Sequence, residues 1–178
     1  MTEQEIIYGC IRQNKQCQRL LFDQYAGRYM TICLRYACDQ MEAEDMMQEG
    51  FIAIFKNIKQ YKNEGVFVAW MRRVIVNAAL NVLRRNKIQF VDVDEVHNNY
   101  LPIQTYSYSD LGEDDILKLI NNLPKGYKLV FNLHVIEGFT HEEIGKMLNI
   151  QTSTSRSQLV KARKMLQTQI LQLQKIAV

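Results

Sequence analysis

The chain is poor in the residues that punctuate a fold. Of its 178 residues only 2 are proline and 8 are glycine. A hairpin-rich β fold needs turn residues at short intervals, so this composition argues for helices instead. Long apolar runs are missing as well. No window approaches the roughly 18 apolar residues of a membrane span. The N-terminal stretch MTEQEIIYGCIRQNKQ is charged throughout and has no apolar signal core, so a cytoplasmic protein without membrane insertion is expected. The 4 cysteines (Cys10, Cys17, Cys33, Cys38) form no CxxC pair. Cys10 and Cys17 stand one heptad apart on a single predicted helix, which suits buried thiols. His97, His134 and His141 are scattered, and the first half of the chain has no histidine. No metal site is expected. Neither GxSxG, a Walker A loop, HExxH nor GxGxxG occurs, and no histidine is placed near a nucleophile. An enzyme is therefore not expected, nor a cofactor.

Acidic residues are missing in one region in particular. From Ile144 to the C-terminus there is no Asp or Glu, while Lys146, Arg156, Lys161, Arg163, Lys164 and Lys175 occur. The net charge of +3 hides this division. Residues 1–87 carry 13 Lys/Arg against 9 Asp/Glu, residues 88–115 carry 7 acids and no base, and residues 116–178 carry 9 bases against 3 acids. Two basic blocks around an acidic strip point to a nucleic-acid partner. An apolar fraction of 47% is enough for real cores in one large domain or two small ones.

The expected architecture is all-α, with two small helical domains over 1–89 and 112–178 and an acidic linker over 90–111. Thr2 with Glu5 caps a first helix through about Cys17. Arg19 to Cys38 reads as a second, with Leu20, Leu21, Tyr25, Tyr29, Ile32 and Cys33 at helical spacing. Asp39 with Glu42 opens a third, to about Ile58. A polar loop spans Lys59 to Gly65, and Phe67 to Arg85 is a fourth helix with Trp70, Val74, Ala78 and Leu80 inward or partly so. Phe90 to Ser109 has no sustained period. Pro124 starts a helix through about Ile136, closed by Gly138.

Three segments carry candidate chemistry. In THEEIGKMLNIQTSTSRSQLVKARKML, Thr140 with Glu143 makes a capping box, and Ile144, Met147 and Leu148 share one face. Asn149-Ile150 makes a tight turn. The next helix turns Leu159, Ala162 and Leu166 inward and Arg156, Ser157, Gln158, Lys161 and Arg163 outward. Arg and Gln can make bidentate contacts to base edges, while Lys and Ser suit phosphates. This is the layout of a helix-turn-helix. A solvated helix face would normally mix charge signs, and this one does not.

The third helix sets Asp45, Gln48 and Glu49 at i, i+3 and i+4, opposite Phe51, Ile54 and Phe55. Acids in a first turn suit the helix dipole, but Gln48-Glu49 lie in the third turn. An acidic face of this kind can dock on a basic partner helix. The fourth helix offers Arg72, Arg73 and Asn77, with Asn81 one turn on. The preceding loop adds Tyr61, Lys62 and Asn63. Aromatic, basic and amide groups together suit a single-strand site, although a capped turn and a solvated helix would read the same way.

Together AEDMMQEGFIAIF, FVAWMRRVIVNAALNVLRR and LPKGYKLVFNLHVIEGFTHEEIGKMLNIQTSTSRSQLVKARKML resemble the sigma factors of bacterial RNA polymerase. The resemblance is to the compact two-domain extracytoplasmic-function group, and covers most of the chain in the family's order. It implies that Asp45, Gln48 and Glu49 meet clamp helices of core RNA polymerase. It implies that Asn77, with the Tyr61–Gly65 loop, holds a flipped base of the minus-ten element. Arg156, Ser157 and Lys161, with Thr154, Gln158 and Arg163 around them, would face promoter DNA at the minus-thirty-five element. An anti-sigma factor is a further partner that the resemblance leaves open. Gln158 stands where the family commonly has Arg, Ser153 where Gly is common, and Val160 where the residue is often larger. These departures bear on which DNA sequence is preferred. Without the extra domains of a housekeeping sigma factor, an alternative, regulon-specific form is expected. Two other readings stay open from the residues alone: a helix-turn-helix regulator that binds duplex DNA without polymerase, and a polymerase-binding adaptor.

Overall fold

The computed structural model describes residues 1–61, 65–85 and 113–176, with side chains at 113, 114 and 174–176 excepted. Among these residues there are helices and no strand. The chain divides into two compact units, Met1–Ile88 and Gln89–Val178. The whole of the expected linker over 90–111, with its TYSYSD run, lies outside the described residues.

The first unit holds α1 (Glu3–Ile11), α2 (Lys15–Tyr36), α3 (Gln40–Asn57) and α4 (Phe67–Arg85), with a 3₁₀ turn at Ile58–Gln60. Thr2 closes the expected capping box with Glu5. The helix does not run on to Cys17, however. Gln13 takes a left-handed conformation at φ 60°, and Asn14 starts α2 by accepting from the Gln16 and Cys17 amides at 2.9 and 3.2 Å. Cys10 and Cys17 are both buried, but on different helices. Burial first, and the Cys17 thiol next, push Cys10 up to about 11. Asp39 caps α3 by accepting from Glu42 N at 2.8 Å. The Glu42 carboxylate reaches one residue further back than a capping box would, to Cys38 N at 2.7 Å.

The core of this unit lies where α3 crosses α4, around Met46, Ile54, Met71, Ile75 and Val76, all buried. Each such side chain contributes about 1.5–3 kcal/mol by leaving water. Gly50 marks the closest approach, since a Cβ there would collide with Ile75 Cδ1. From α2, the Tyr29 hydroxyl donates to Val68 O of α4 at 3.0 Å, and Tyr25 donates to Glu3 of α1 at 2.8 Å. Leu20 lies at the outer edge of the α2 apolar face and is exposed.

The second unit holds α5 (Glu113–Asn121), α6 (Lys125–Phe131), a π-helical turn (Asn132–Ile136), α7 (His141–Leu148) and α8 (Thr152–Ile176). Pro124 sits at the N-cap of α6. The helix expected through Ile136 widens at Asn132, where Glu137 N reaches back five residues to Asn132 O at 2.9 Å. Gly138, at φ 78°, ends it. Thr140 and Glu143 form the expected capping box of α7. Asn149, at φ 55°, closes that helix in the left-handed region, and Gly145 lets the chain turn tightly. A Cβ on Gly145 would lie 2.9 Å from Ile150 O, closer than real contacts allow. α8 then packs Ala162 against Leu123 and Tyr127, with Phe131, Met165 and Leu166 around them. No described helix is long and apolar enough to cross a membrane.

Candidate nucleic-acid interface

Asp45, Gln48 and Glu49 are all exposed on α3, because Ala43, Met46, Gly50 and Ile54 take the face turned to the core. Glu49 pairs with Arg85 of α4 at 3.2 Å. Both side chains are well exposed, so the pair contributes at most about 1 kcal/mol and can be exchanged for another partner.

Glu49 also lines a cavity of about 380 Å³ between α3 and α4, together with Ala53, Asn57, Gln60, Trp70, Val74, Asn77, Ala78 and Asn81. One carboxylate, four side-chain amides and an indole therefore meet in one place. Asn57 donates to Ala53 O at 2.8 Å and accepts from Gln60 at 3.1 Å. Asn81 accepts from Arg84 at 2.8 Å. The Asn77 side chain makes no hydrogen bond among the described residues, which leaves its amide available in both senses. Asp45 and Gln48 stay outside the cavity.

The cavity has an aromatic flank. Phe67 and Trp70 are stacked with ring centroids 5.7 Å apart, and Tyr61 lies 5.0 and 5.7 Å from them. The Tyr61 hydroxyl spans its own loop by donating to Gly65 O at 2.7 Å. Lys62 and Asn63 lie outside the described residues. On α4, Arg73 is exposed and Arg72 half-buried. Sequence reasoning gave Trp70 to the core and left out Asn57 and Gln60. Their signal was a polar face continuing from Glu49 to Asn57, two turns on.

In the second unit Arg156, Ser157, Lys161, Arg163 and Lys164 are exposed on α8, and Thr154 is half-buried in its first turn. Ser157 donates to Thr154 O at 3.0 Å. Lys161 Nζ lies 6.0 Å from the centre of the Tyr127 ring. Gln158 is a correction. Expected to face outward, it is only 5% exposed. It shares the inner face of α8 with Ser155, Leu159 and Ala162, and its amide fills the space above Gly126, where a Cβ would stand 3.3 Å from Nε2. A glycine on α6 makes room for a long polar side chain that apolar periodicity alone turns to solvent. Val160, in contrast, is 66% exposed among the cations.

Two of the three histidines meet, while His97 lies outside the described residues. His134 and His141 stack with centroids 4.3 Å apart and planes 13° apart. His141 Nδ1 lies 2.9 Å from the buried Ser155 hydroxyl of α8, and His134 Nδ1 lies 2.9 Å from Phe139 O. Burial, then His134, Arg156 and Arg163, hold His141 below the usual histidine range, against an opposing effect of Glu142. The seven-residue spacing was the available signal, hidden because the two residues lie on different elements.

Two family models match the chain. Sigma-70 region 2 matches residues 21–88 and Sigma-70 region 4 matches residues 113–166. The ECF RNA polymerase sigma factor SigE of Mycolicibacterium smegmatis is 32% identical over 152 residues, a match that takes in 82% of this chain and 58% of that protein. The chain thus spans little more than half the length of that relative. The ECF RNA polymerase sigma-E factor of Haemophilus influenzae is 26% identical over 183 residues and 96% of both chains. Among solved structures, the sigma factor RpoE of Bartonella quintana, in complex with the anti-sigma factor NepR, shares the fold at a TM-score of 0.53 and 19% identity, over 90% of this chain and 98% of that one. The chain belongs to the sigma-70 family of RNA polymerase sigma factors, in its extracytoplasmic-function group, and is a transcription-initiation factor, not an enzyme.

Proposed function

We propose that the chain works in the cytoplasm as an alternative sigma factor that divides its task between its two units. Residues 1–89 bind core RNA polymerase through Asp45, Gln48 and Glu49, and capture a minus-ten base through Asn77, Tyr61, Lys62, Asn63, Arg72 and Arg73. Residues 90–111 connect them as an acidic linker. Residues 112–178 read the minus-thirty-five duplex through Thr154, Arg156, Ser157, Lys161 and Arg163. Gln158, being buried, is left out of that set.

The cavity beside Asn77 carries this reading. A regulator that only binds duplex DNA has no use for an indole-flanked, amide-lined recess in its other unit. A polymerase adaptor has no use for one either. An extruded base needs a face to stack on and groups that meet its donors and acceptors, to offset a few kcal/mol of unstacking. The Trp70 indole, backed by buried Phe67, and the unoccupied Asn77 amide supply these. Glu49 sits in both places, so base capture and polymerase docking share a residue.

Asn77→Ala tests it. Holoenzyme should assemble and form closed complexes, while open complex, read by permanganate reactivity of melted thymines, should fall. A pre-melted bubble should rescue only partly, because the missing contact is to the captured base. Asp45→Arg should instead weaken binding to core polymerase while leaving the fold intact, since a like charge then faces a basic partner. Full open complex from Asn77→Ala on ordinary duplex promoters would remove Asn77 from base capture.

A further inference from the structure

His141 is joined to three elements. It opens α7, its ring stacks on His134 of the π-helical turn, and its Nδ1 meets Ser155 of α8. Ser155 is fully buried one residue before Arg156, so this bond fixes where the first turn of α8 sits against α7. The charged groups acting on the ring are His134 from the π-helical turn, Glu142 from α7, and Arg156 and Arg163 from α8. One acid thus opposes three basic groups. His134 faces a carbonyl oxygen through Nδ1, and a carbonyl can only accept, so that nitrogen carries its hydrogen. His141 Nε2 has no hydrogen-bond partner among the described residues.

We propose that His141 is a positioning residue for the recognition helix and that it takes up a proton when α8 binds duplex DNA. This rests on the reading of α8 as the duplex-reading helix. In the free protein the ring is held neutral near neutral pH by burial and by the cations beside it. A DNA phosphate brought against Arg156 and Arg163 offsets those two charges and adds a negative one, so the ring binds a proton more readily. In the protonated ring both nitrogens are donors. Nδ1 then donates to Ser155, whose hydroxyl turns to accept, and the tether between α7 and α8 is kept. The new charge is shared with Nε2, which no protein group occupies.

The sign follows from linkage. The pKa is lowered in the free state and higher in the complex, so binding takes up a proton and affinity rises as pH falls. The rise begins as pH drops through the complex's pKa and ends below that of the free protein. One proton limits the slope to about tenfold per pH unit.

Holoenzyme made with the full chain is titrated onto a duplex that it has itself enriched from a random library. Dissociation constants are measured from about pH 8 to pH 6, the range in which histidine changes charge, at fixed salt. The wild-type chain should bind several-fold tighter at the acid end. His141→Gln keeps an amide able to bond Ser155 but has no proton to gain, and should lose that gain in affinity. Polymerase's own pH dependence cancels in the difference between the two profiles. Thermal unfolding of His141→Gln at the alkaline end reports its folding. Independently, the His141 ring resonance in the wild-type full chain should titrate at a higher pH with saturating duplex than without it. A wild-type pH slope in folded His141→Gln, or a ring pKa that DNA does not move, overturns the inference. An Arg156→Ala chain that binds and discriminates like wild type would instead overturn the reading of α8 on which it rests.

Discussion

The two units bury different chemistry. In the first, the described interior is built from aliphatic and aromatic side chains and thiols, with Tyr29 its largest fully buried member. Among the described residues the buried polar ones, Asn132, Ser155, Gln158 and Gln169, all lie in the second. The contrast follows what each unit has to present. α3 and α4 can commit one face to a dry core and keep the other for the cavity. The second unit has to hold short helices around a helix whose outer face is cationic, and it does so with hydroxyl, amide and imidazole groups that fix direction as well as position. Apolar packing sets distance through close contact, whereas a hydrogen bond such as that between His141 and Ser155 also sets an angle.

If the first unit depends on its dry crossing, a cavity there should cost most. Ile75 is fully buried against Gly50, where the two helices come closest. Ile75→Ala should lower stability by about 2–5 kcal/mol, since the rigid crossing cannot collapse around the lost methyl groups. Urea unfolding followed by Trp70 fluorescence reads this directly, because that tryptophan is the only one in the chain. A loss well under 1 kcal/mol would mean that α3 and α4 can slide together, and that the contrast between a first unit held by close apolar packing and a second held by directed hydrogen bonds is wrong.

The outer face of α8 should show the next largest effect. Arg156→Ala should cost about 1–3 kcal/mol against the preferred duplex and relax choice at one base pair, as loss of a bidentate base contact does. Lys161→Ala should weaken all duplexes alike and reduce the salt dependence of binding. Competition binding at two salt concentrations separates them. If both variants behave as phosphate contacts, the hydrogen-bonded α7–α8 junction does not aim a base-reading side chain.

The same contrast explains what the sequence made legible. α4 falls on Phe67–Arg85, as expected from its apolar period alone, and α3 ends within one residue of its expected boundary. Capping boxes placed the starts of α1 and α7, because the Thr and Glu that form them are local in sequence. Gln158 could not be read, because its burial depends on Gly126 of another helix. Nor could the His134–His141 stack, which needs the π-helical turn to bring the rings together. The break at Gln13 was missed because Asn14 was not weighed as a cap. In the site, exposure of Asp45, Gln48 and Glu49 followed from period, but the meeting of Glu49 with Asn77 in one cavity required the α3–α4 crossing.

The smallest effect sets the units side by side once more. Each holds one described non-glycine residue with positive φ, Gln13 at 60° before α2 and Asn149 at 55° after α7. The left-handed region costs an ordinary side chain about 1–2 kcal/mol. Asparagine visits it at little cost and is a natural helix C-cap, whereas glutamine has no such compensation. Replacing either by glycine also loosens the unfolded chain, which opposes the gain by about 0.4–1 kcal/mol. For Gln13→Gly the relief should win, leaving a net stabilisation of about 0.5–1 kcal/mol. For Asn149→Gly the two effects should nearly cancel, with a change of a few tenths of a kcal/mol. Parallel urea unfolding of the two variants tests the difference. Equal shifts would show that the junction after α1 is no more strained than the turn of the helix-turn-helix, and that the first unit's irregular joint is as well fitted as the second's.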